Sequence, residues 1–381
     1  MLATLFFASI GLIAFAYFGY PLLLAVWARL ATRPVRRAAF TPPVTIVVIG
    51  HNEARAIAAK IESCLAQHYP ADGLHLLIVS DGSTDGMPAV VRACNDSRVR
   101  LLEFERRRGK AACLNDALAA CEDDFVVLSD ARQPLDAGAV GFLMENFADE
   151  TVGAVSGELA FLTDEATGFG AGIDAYWRYE KFIRHKESDT GSAVGVSGAL
   201  YALRRELWQP IPPQTILDDL MIPMNVAMQR RRVLFDARAV AWDRPSTTAG
   251  RERVRKVRTL AGNFQLVALR PEFLLPWRNP LFIKFVCHKL LRLVVPLAMA
   301  LVLIANVLLA TGSAAWTFVL ATQVGCYGVA LAGLLVPALC RWLPVKLLTT
   351  FLALNAFVVL GFVSFVFDRD AHLWGKNRGT V

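Results

Sequence analysis

The chain has 381 residues with a formal net charge of +7, and 55% of its residues are hydrophobic. That composition is too apolar for an ordinary soluble enzyme. The positive charge could indicate a nucleic-acid partner. However, the basic residues lie beside the most apolar stretches, which favours an anionic membrane surface as the partner and no nucleic acid.

The first predicted element is a transmembrane helix at residues 1–28. This stretch contains no charged residue, and about 20 apolar residues suffice for a helix to span a bilayer. It lacks the basic start and the small-residue cleavage site of a secretory signal, so we interpret it as an anchor. Four arginines follow it, at Arg29, Arg33, Arg36 and Arg37. By the positive-inside rule they place the next domain in the cytoplasm, at the inner (plasma) membrane.

Residues 41–250 predict one α/β domain. Four runs are typical of strands buried on both faces, at residues 44–50, from residue 74, at 99–104 and at 125–130, and predicted helices separate them. This alternation favours a mostly parallel, doubly wound, Rossmann-like sheet. In such sheets the ligand lies beyond the carboxyl ends of the strands.

Polar side chains follow three of these strands at their carboxyl ends. The residues are His51, Asn52 and Glu53, then Asp81, Gly82 and Ser83, then Asp130. No G-x-G-x-x-G follows the first strand and no P-loop motif occurs, which argues against a dinucleotide or a P-loop phosphate site. Carboxylates can bind a nucleobase, a ribose or a hard cation, and Lys110 can meet a diphosphate. The pattern therefore suits a nucleotide-diphosphate ligand with a divalent metal.

Residues 251–292 predict two basic interfacial helices. Val254, Val257, Ala261 and Phe264 recur at helical spacing, while the basic residues Arg251, Arg255 and Arg258 lie on other faces. Such a helix can rest on the bilayer surface and still direct arginines at the active site. Residues 281–292 predict the second interfacial helix, and we interpret His288 there as an interface residue rather than a ligand.

Residues 293–367 predict three further transmembrane segments. No charge occurs in residues 293–340, which can hold two helices divided near residues 311–315, or in residues 347–367, which supply the third. Residues 368–381 form a polar tail. The protein would thus be multi-pass. Three helices after the domain put the tail outside, whereas its basic residues Arg369, Lys376 and Arg378 favour the inside, so either the tail is outside or one of the three segments is re-entrant.

Seven motifs of this chain occur together, and in the same order, in a known family. They are VVIGHNE, VSDGSTDG, RRRGKAACLNDAL, VVLSDAR, GVSGALYALRR, ILDDL and RVRKVRTLAGNFQ, between residues 44 and 265. In this the chain resembles the membrane-embedded family-2 glycosyltransferases, a group that includes cellulose, hyaluronan and poly-N-acetylglucosamine synthases. The resemblance implies a GT-A fold and an inverting transfer from a nucleotide-diphosphate sugar.

The resemblance assigns the donor side of the site to seven residues. They would be His51, Glu53, Asp81, Lys110, Asp130, Arg255 and Arg258. Lys110 would meet the diphosphate and Asp130 would bind Mg²⁺ or Mn²⁺ with it. The growing charge of the nucleotide leaving group needs such cations.

The acceptor side is assigned to the run GVSGALY, with Gly198, Ala199 and Tyr201. Asp219 is the expected general base, which takes the proton of the acceptor hydroxyl. Asp218 is a second catalytic candidate, because two carboxylates that share a site raise one pKa. Against sharing, consecutive helical residues point about 100° apart, and an acid at a helix start is also favoured by the helix dipole.

The chain departs from the family pattern at several positions. The aromatic residue before Asn-Glu is His51, the first acid of the DDGS turn is Ser80, and the Trp of the basic motif is Thr259, which argues against processivity. The D-x-D motif reads D-A-R, because Arg132 takes the place of the second acid. We hypothesise that Arg132 makes a bidentate contact to a phosphate or to a neighbouring carboxylate such as Asp130, and weakens metal binding.

Three functions remain open on these grounds. The first is transfer of a sugar, with a UDP-sugar favoured, to a hydroxyl of a lipid-linked or polysaccharide acceptor in exopolysaccharide or cell-envelope synthesis. The second is transfer to a polyprenyl phosphate, which needs no base. The third is an inactive membrane scaffold, which D-A-R invites. A transporter is disfavoured because the apolar segments contain few polar residues.

Overall fold

A computed structural model of the chain describes residues 1–161, 170–243, 249–368 and 373. These residues include seven strands in one sheet. The strands are β1 (Val44–Gly50), β2 (Leu74–Asp81), β3 (Val99–Phe104), β4 (Phe125–Asp130), β5 (Val152–Phe161), β6 (Leu200–Arg204) and β7 (Arg232–Asp243). The first four lie where the apolar runs predict them.

The sheet has the order β3-β2-β1-β4-β6-β5-β7. β1 pairs in parallel with β2 and β4, β2 with β3, and β5 with β7, whereas β6 is antiparallel to both of its neighbours. In register, Gly50 lies opposite Ser80 and Ile49 lies opposite Asp130. The polar residues that follow β1, β2 and β4 therefore meet at one edge of the sheet, as the α/β prediction required.

Helices cover both faces of the sheet. The described helices are α1 (Leu2–Ala14), α2 (Tyr20–Leu30), α3 (Ala54–Leu65), α4 (Met87–Arg92), α5 (Lys110–Ala120), α6 (Ala139–Glu145), α7 (Gly170–Asp189), α8 (Asp218–Met228), α9 (Ala249–Leu269), α10 (Phe282–Phe285), α11 (Leu291–Ala310), α12 (Ala314–Leu335) and α13 (Leu343–Phe367). Apolar residues of α3, α4 and α6 form one buried layer, and those of α5, α8 and α9 form the other. Since β1 is buried along its whole length, its unbroken apolar sequence is explained by these two layers.

Four helical runs among the described residues are long and apolar enough to cross a membrane. They are Leu2–Leu30, Phe282–Ala310, Ala314–Leu335 and Leu343–Phe367. The second run begins earlier than expected, because residues 281–292 continue into it instead of forming a separate interfacial helix. The charged residues of this segment suggested a helix at the membrane surface. Lys284 and His288 are 4% and 1% exposed, since α7 supplies their partners.

The basic helix α9 lies between the domain and the last membrane helix. A Cβ on Gly262 would stand 2.5 Å from Leu217 Cγ, and one on Gly361 of α13 would stand 2.7 Å from Leu260 Cβ. Phe264 also packs its ring against Phe362. The apolar stripe predicted on α9 therefore packs against protein on two sides, and it holds the segment before α8 in place.

Candidate functional site

The turn after β1 is built to face the turn after β2. Asn52 adopts a left-handed conformation with φ 57°, and its side-chain oxygen accepts a hydrogen bond from the Thr84 amide at 2.7 Å. His51 Nδ1 lies 2.7 Å from the backbone oxygen of Asp81. Because a carbonyl only accepts, Nδ1 carries a proton and donates it to this oxygen. The predicted donor residue His51 thus lies at the edge of the sheet with its ring held by the end of β2.

Asp81 organises the loop that precedes Lys110. Its two carboxylate oxygens accept hydrogen bonds from the backbone amides of Arg108 and Gly109, at 2.6 and 2.9 Å. The loop approaches so closely that a Cβ on Gly82, which has φ 62°, would stand 2.5 Å from the Arg107 amide nitrogen. Only glycine fits there. Asp81 therefore shapes the donor cleft, and its predicted contact with a base or ribose stays a prediction.

A cleft opens where these turns meet the start of α5. It is lined by Ile49, Gly50, His51, Asp81, Arg107, Gly109 and Lys110. Three of these residues were predicted on the donor side. Arg107 was not singled out, although the run of three arginines before Gly109 is a visible signal for it.

Lys110 lies between two carboxylates that belong to different elements, β4 and α8. Its ammonium lies 2.8 Å from Asp130 Oδ1 and 3.1 Å from Asp218 Oδ2. Burial alone would lower the pKa of Lys110, but the charges of Asp130 and Asp218 outweigh burial and raise it. Lys110 is therefore a fixed cation at the end of β4, where a diphosphate can be met.

Asp219 is a carboxyl group with a raised pKa beside a second acid. Burial, followed by the negative charge of Asp218, raises the pKa of Asp219 to about 6, although Lys110 acts in the opposite direction. Both acids lie in the first turn of α8. The prediction that their proximity raises one pKa agrees with this geometry, and a carboxyl group with such a pKa can act as a base near neutral pH.

The predicted acceptor run lies directly over these carboxylates. The Val196 amide donates to the backbone oxygen of Asp219 at 3.0 Å. A Cβ on Gly198 would stand 3.5 Å from Asp219 Oδ2 and 3.8 Å from Asp130 Oδ2. The missing side chain thus leaves a small cradle between the predicted metal ligand and the predicted base.

Tyr201 contributes an unsatisfied hydroxyl beside the same cradle. It is 1% exposed, and in the described part of the chain its hydroxyl has no hydrogen-bond partner. Burial and the charges of Asp218, Asp219 and Asp130 raise the pKa of Tyr201 well above its usual value. Such a buried donor is costly unless it meets a ligand. Ala199, the third predicted acceptor residue, presents only its backbone oxygen, which accepts from Ser129 Oγ at 2.5 Å.

Arg132 binds Glu53. Its Nε lies 2.8 Å from both carboxylate oxygens of Glu53, and its Nη2 lies 2.5 Å from Oε1. A bidentate contact to a neighbouring carboxylate was predicted, and that carboxylate is Glu53 rather than the example given, Asp130. Glu53 and Arg132 are adjacent in space because β1 pairs with β4. Arg132 therefore anchors Glu53, a predicted donor residue.

A buried lysine supports the D-A-R loop from behind, and the sequence reading missed it. Lys60 of α3 is 1% exposed, and its ammonium donates to Ser129 Oγ and to the Gln133 backbone oxygen, each at 2.6 Å. Burial lowers its pKa. Lys60 lies within an apolar helical stripe, so the sequence pattern does not indicate this role.

Of the two arginines predicted on α9, one faces the acids. Arg258 lies within electrostatic range of Asp218, Asp219 and Asp130, and burial lowers its pKa. Arg255 instead pairs with Glu252 at 2.7 Å on the same helix. Of the two, Arg258 is the one within electrostatic range of the carboxylate cluster, and Arg255 is held by Glu252.

The residues fit a divalent metal that is held mainly by its substrate. Within residues 1–161, 170–243 and 249–368, no group of three His, Cys, Asp or Glu side chains is arranged to hold a metal ion. Mg²⁺ in phosphate sites usually takes only one or two carboxylates together with phosphate oxygens. Asp130 can supply one, because its Oδ2 faces the Gly198 cradle, and the unsatisfied hydroxyl of Tyr201 marks the same place as polar.

Comparisons with known proteins place a glycosyltransferase domain in this chain. Residues 45–209 match the model of glycosyl transferase family 2. A β-monoglucosyldiacylglycerol synthase from Synechocystis sp. is 26% identical over 206 residues, which are 50% of this chain and 42% of that relative. The poly-β-1,6-N-acetyl-D-glucosamine synthase of Staphylococcus aureus (strain COL) is 22% identical over 229 residues, 59% of this chain and 55% of that one. These matches cover about half the length of the curated relatives.

A solved structure resembles nearly the whole chain. The mannosyltransferase PcManGT from Pyrobaculum calidifontis, in complex with GDP-Man and Mn²⁺, aligns with a TM-score of 0.71 and 26% identity. The alignment covers 97% of this chain and 99% of that one. The GT-A fold predicted from the seven motifs is therefore confirmed, and residues 45–209 match the predicted family.

Proposed function

We propose that this chain, a family 2 glycosyltransferase, moves a sugar with inversion from a nucleotide-diphosphate sugar to a hydroxyl of a lipid-linked or polysaccharide acceptor. The observation that carries the proposal is the cradle at Gly198. There, a carboxyl group with a raised pKa, Asp219, lies beside a second carboxylate, Asp130, that is paired with the cation Lys110. An inverting transfer needs a base and a charged leaving-group site next to each other.

Each residue has a defined part in this reaction. The nucleotide would occupy the cleft at His51 and Asp81, and its diphosphate would meet Lys110 and Arg258. The acceptor hydroxyl would lie over Gly198, where Asp219 accepts its proton. A bound Mg²⁺ or Mn²⁺, held by Asp130 and the diphosphate, would neutralise charge on the departing nucleotide. Tyr201 can donate its unsatisfied hydroxyl hydrogen to an oxygen of either substrate.

The raised pKa of Asp219 favours a hydroxyl acceptor over a polyprenyl phosphate. A phosphate is already an anion, so it needs no base and would be repelled by the ionised acids at the cradle. The charged cluster around Asp130 likewise favours an enzyme over an inactive scaffold. Arg132 leaves that carboxylate to Lys110 because it binds Glu53.

The basic residues between the spans support one orientation in the membrane. If all four runs cross the bilayer, Arg33 after the first, Arg278 before the second and Arg341 before the fourth all lie on one side. The positive-inside rule makes this side cytoplasmic. The glycosyltransferase domain would lie there too, at the inner membrane, where nucleotide sugars are made.

The test is nucleotide release from a panel of UDP- and GDP-sugars by the purified chain with Mg²⁺ or Mn²⁺. We expect one donor, with UDP-sugars favoured, to turn over faster when a glycan or glycolipid acceptor is added. Asp219→Asn should lower transfer by about 10²-fold or more. Release from none of the donors would refute an active enzyme. Full transfer by the Asp219→Asn variant, or acceleration by a polyprenyl phosphate alone, would refute a base-assisted transfer to a hydroxyl.

A further inference from the structure

A buried lysine of α3, Lys60, contacts the D-A-R turn on both sides. Its ammonium lies 2.6 Å from Ser129 Oγ and 2.6 Å from the backbone oxygen of Gln133. Lys60 is 1% exposed and Ser129 is 5% exposed, so these contacts lie in the protein interior. Because Asp130 falls between the two contacted residues, Lys60 holds the turn that carries the predicted metal ligand.

The direction of the hydrogen bonds at Ser129 is set by their partners. Ser129 Oγ lies 2.5 Å from the backbone oxygen of Ala199. Since a carbonyl oxygen only accepts, the hydroxyl hydrogen goes to Ala199, and the hydroxyl oxygen accepts from Lys60. A hydrogen-bond path therefore runs from Lys60 through Ser129 to Ala199, which belongs to the predicted acceptor run GVSGALY at residues 195–201.

This hydrogen-bond path joins the donor side of the proposed site to its acceptor side. Asp130 follows Ser129, and Gly198 precedes Ala199. A Cβ on Gly198 would stand 3.8 Å from Asp130 Oδ2, so the path ends next to the cradle. Backbone pairing between β4 and β6 stops at Ser129 and Leu200. Beyond that pair, side-chain contacts help to set the separation of Asp130 from Gly198.

Packing alone does not account for a lysine at this position. Its neighbours on the buried face of α3 are apolar, namely Ile57, Ile61 and Cys64. Both hydrogen-bond partners of the ammonium are neutral oxygens, and a buried cation is costly. A methionine would fill similar space without a charge. The ammonium is explained by the two oxygens that it holds on either side of the turn.

We propose that Lys60 is a positioning residue for the transfer. Through Ser129 it sets the distance between Asp130, on the donor side, and the Gly198 cradle, on the acceptor side. It touches neither substrate and acts only through the residues that do. This inference rests on the proposed function for the roles of the two sides, but the hydrogen-bond path can be tested without turnover.

The experiment compares Lys60→Met with Gln67→Met in the purified full chain. Gln67 follows α3, is 6% exposed and donates to the backbone oxygen of Asp136 at 2.8 Å. Its loss therefore removes a similar buried hydrogen bond outside the path. With the donor that turns over, Lys60→Met should lower kcat for transfer about tenfold or more, and it should lower the ratio of transfer to donor hydrolysis. Gln67→Met should leave this ratio unchanged.

Ser129→Ala interrupts the same path at its middle and keeps the lysine, so it tests the inference even if Lys60→Met does not fold. It should also lower the ratio of transfer to hydrolysis. Because the two residues act along one path, the double variant should transfer no worse than the poorer single variant. Losses that multiply would mean two independent effects. An unchanged ratio in both single variants, or an equal fall in Gln67→Met, would overturn the inference.

Amide hydrogen exchange separates this inference from the proposed function, because it needs no turnover. Lys60→Met should speed exchange both at residues 129–135 and at residues 195–201, whereas Gln67→Met should speed it only near residues 136–140. Faster exchange at residues 129–135 alone would overturn the connection to the acceptor run. If no donor turns over, the proposed function fails and the exchange result still decides the path. Transfer with an unchanged ratio would refute the positioning role alone.

Discussion

Replacing Asp219 by Asn should make the protein more stable at alkaline pH while it stops the transfer. The pKa of Asp219 is raised from 3.8 to about 6 by burial and by Asp218. Between these two values the folded chain binds more protons at this carboxyl than the unfolded chain does. Stability therefore falls as pH rises through that window, and the full penalty is present above pH 6.

The size of the effect follows from the shift. About two pKa units at about 1.36 kcal/mol each give an upper limit of about 3 kcal/mol. Asn is neutral at every pH, so Asp219→Asn should recover up to this amount at pH 8 and almost none near pH 4. At about 2–4 °C per kcal/mol for a domain of this size, the melting temperature should rise by several degrees at pH 8.

Thermal unfolding of the detergent-solubilised protein at both pH values measures this difference. Asp124→Asn is the matched control, because the Asp124 side chain is 91% exposed and should change stability at neither pH. An Asp219→Asn variant that is no more stable than wild type at pH 8, or equally stabilised at both pH values, would refute the raised pKa. In the same preparation, transfer should be lost.

Three further predictions concern the same cradle and cleft. Transfer should be half-maximal near pH 6 as Asp219 ionises. Asp218→Asn removes a like charge and should move this midpoint to lower pH. An unmoved midpoint would assign the loss of activity at low pH to another group. Gly198→Ala adds a Cβ at ordinary contact distance from Asp219 Oδ2, 3.5 Å away, so the melting temperature should not change. Transfer should fall about tenfold or more, because a small displacement of a reacting group has an effect of this size. Retained transfer would mean that the acceptor does not enter the cradle. Arg132→Gln removes the ion-pair partner of Glu53. It should raise the donor KM a few-fold with kcat unchanged, as expected for loss of a partly exposed ion pair. An unchanged KM would show that the ion pair has no part in donor binding.

The polar residues at the carboxyl ends of the strands were predictable, because they follow from the order of residues close together in the chain. A β-branched run between helical stripes specifies a parallel strand, and parallel strands end at one edge, so His51, Asp81 and Asp130 were expected together. The spacing of the motifs likewise placed Lys110 at the start of a helix beside that edge. These predictions needed no knowledge of how the elements pack.

The partners of the charged residues could not be predicted in the same way. Arg132 binds Glu53, 79 residues away, because β1 and β4 are neighbours, and nothing near Arg132 in the chain indicates this. His288 and Lys284 appeared to be interfacial because their own segment offers no acid. The carboxylates that His288 contacts lie about a hundred residues earlier, on α7, and Lys284 donates to the backbone oxygens of Glu187 and Ser192.

The sequence by itself determined the first four strands of the sheet, the four apolar runs and the candidate site residue types, because backbone preference and hydrophobic period act over short distances. Only the tertiary structure decided which charges meet. It brings Lys110 together with Asp130 and Asp218, pairs Arg255 with Glu252, and opens the cradle at Gly198. The physical reason is that an ion pair depends on the distance between two atoms, and that distance is fixed by packing rather than by position along the chain.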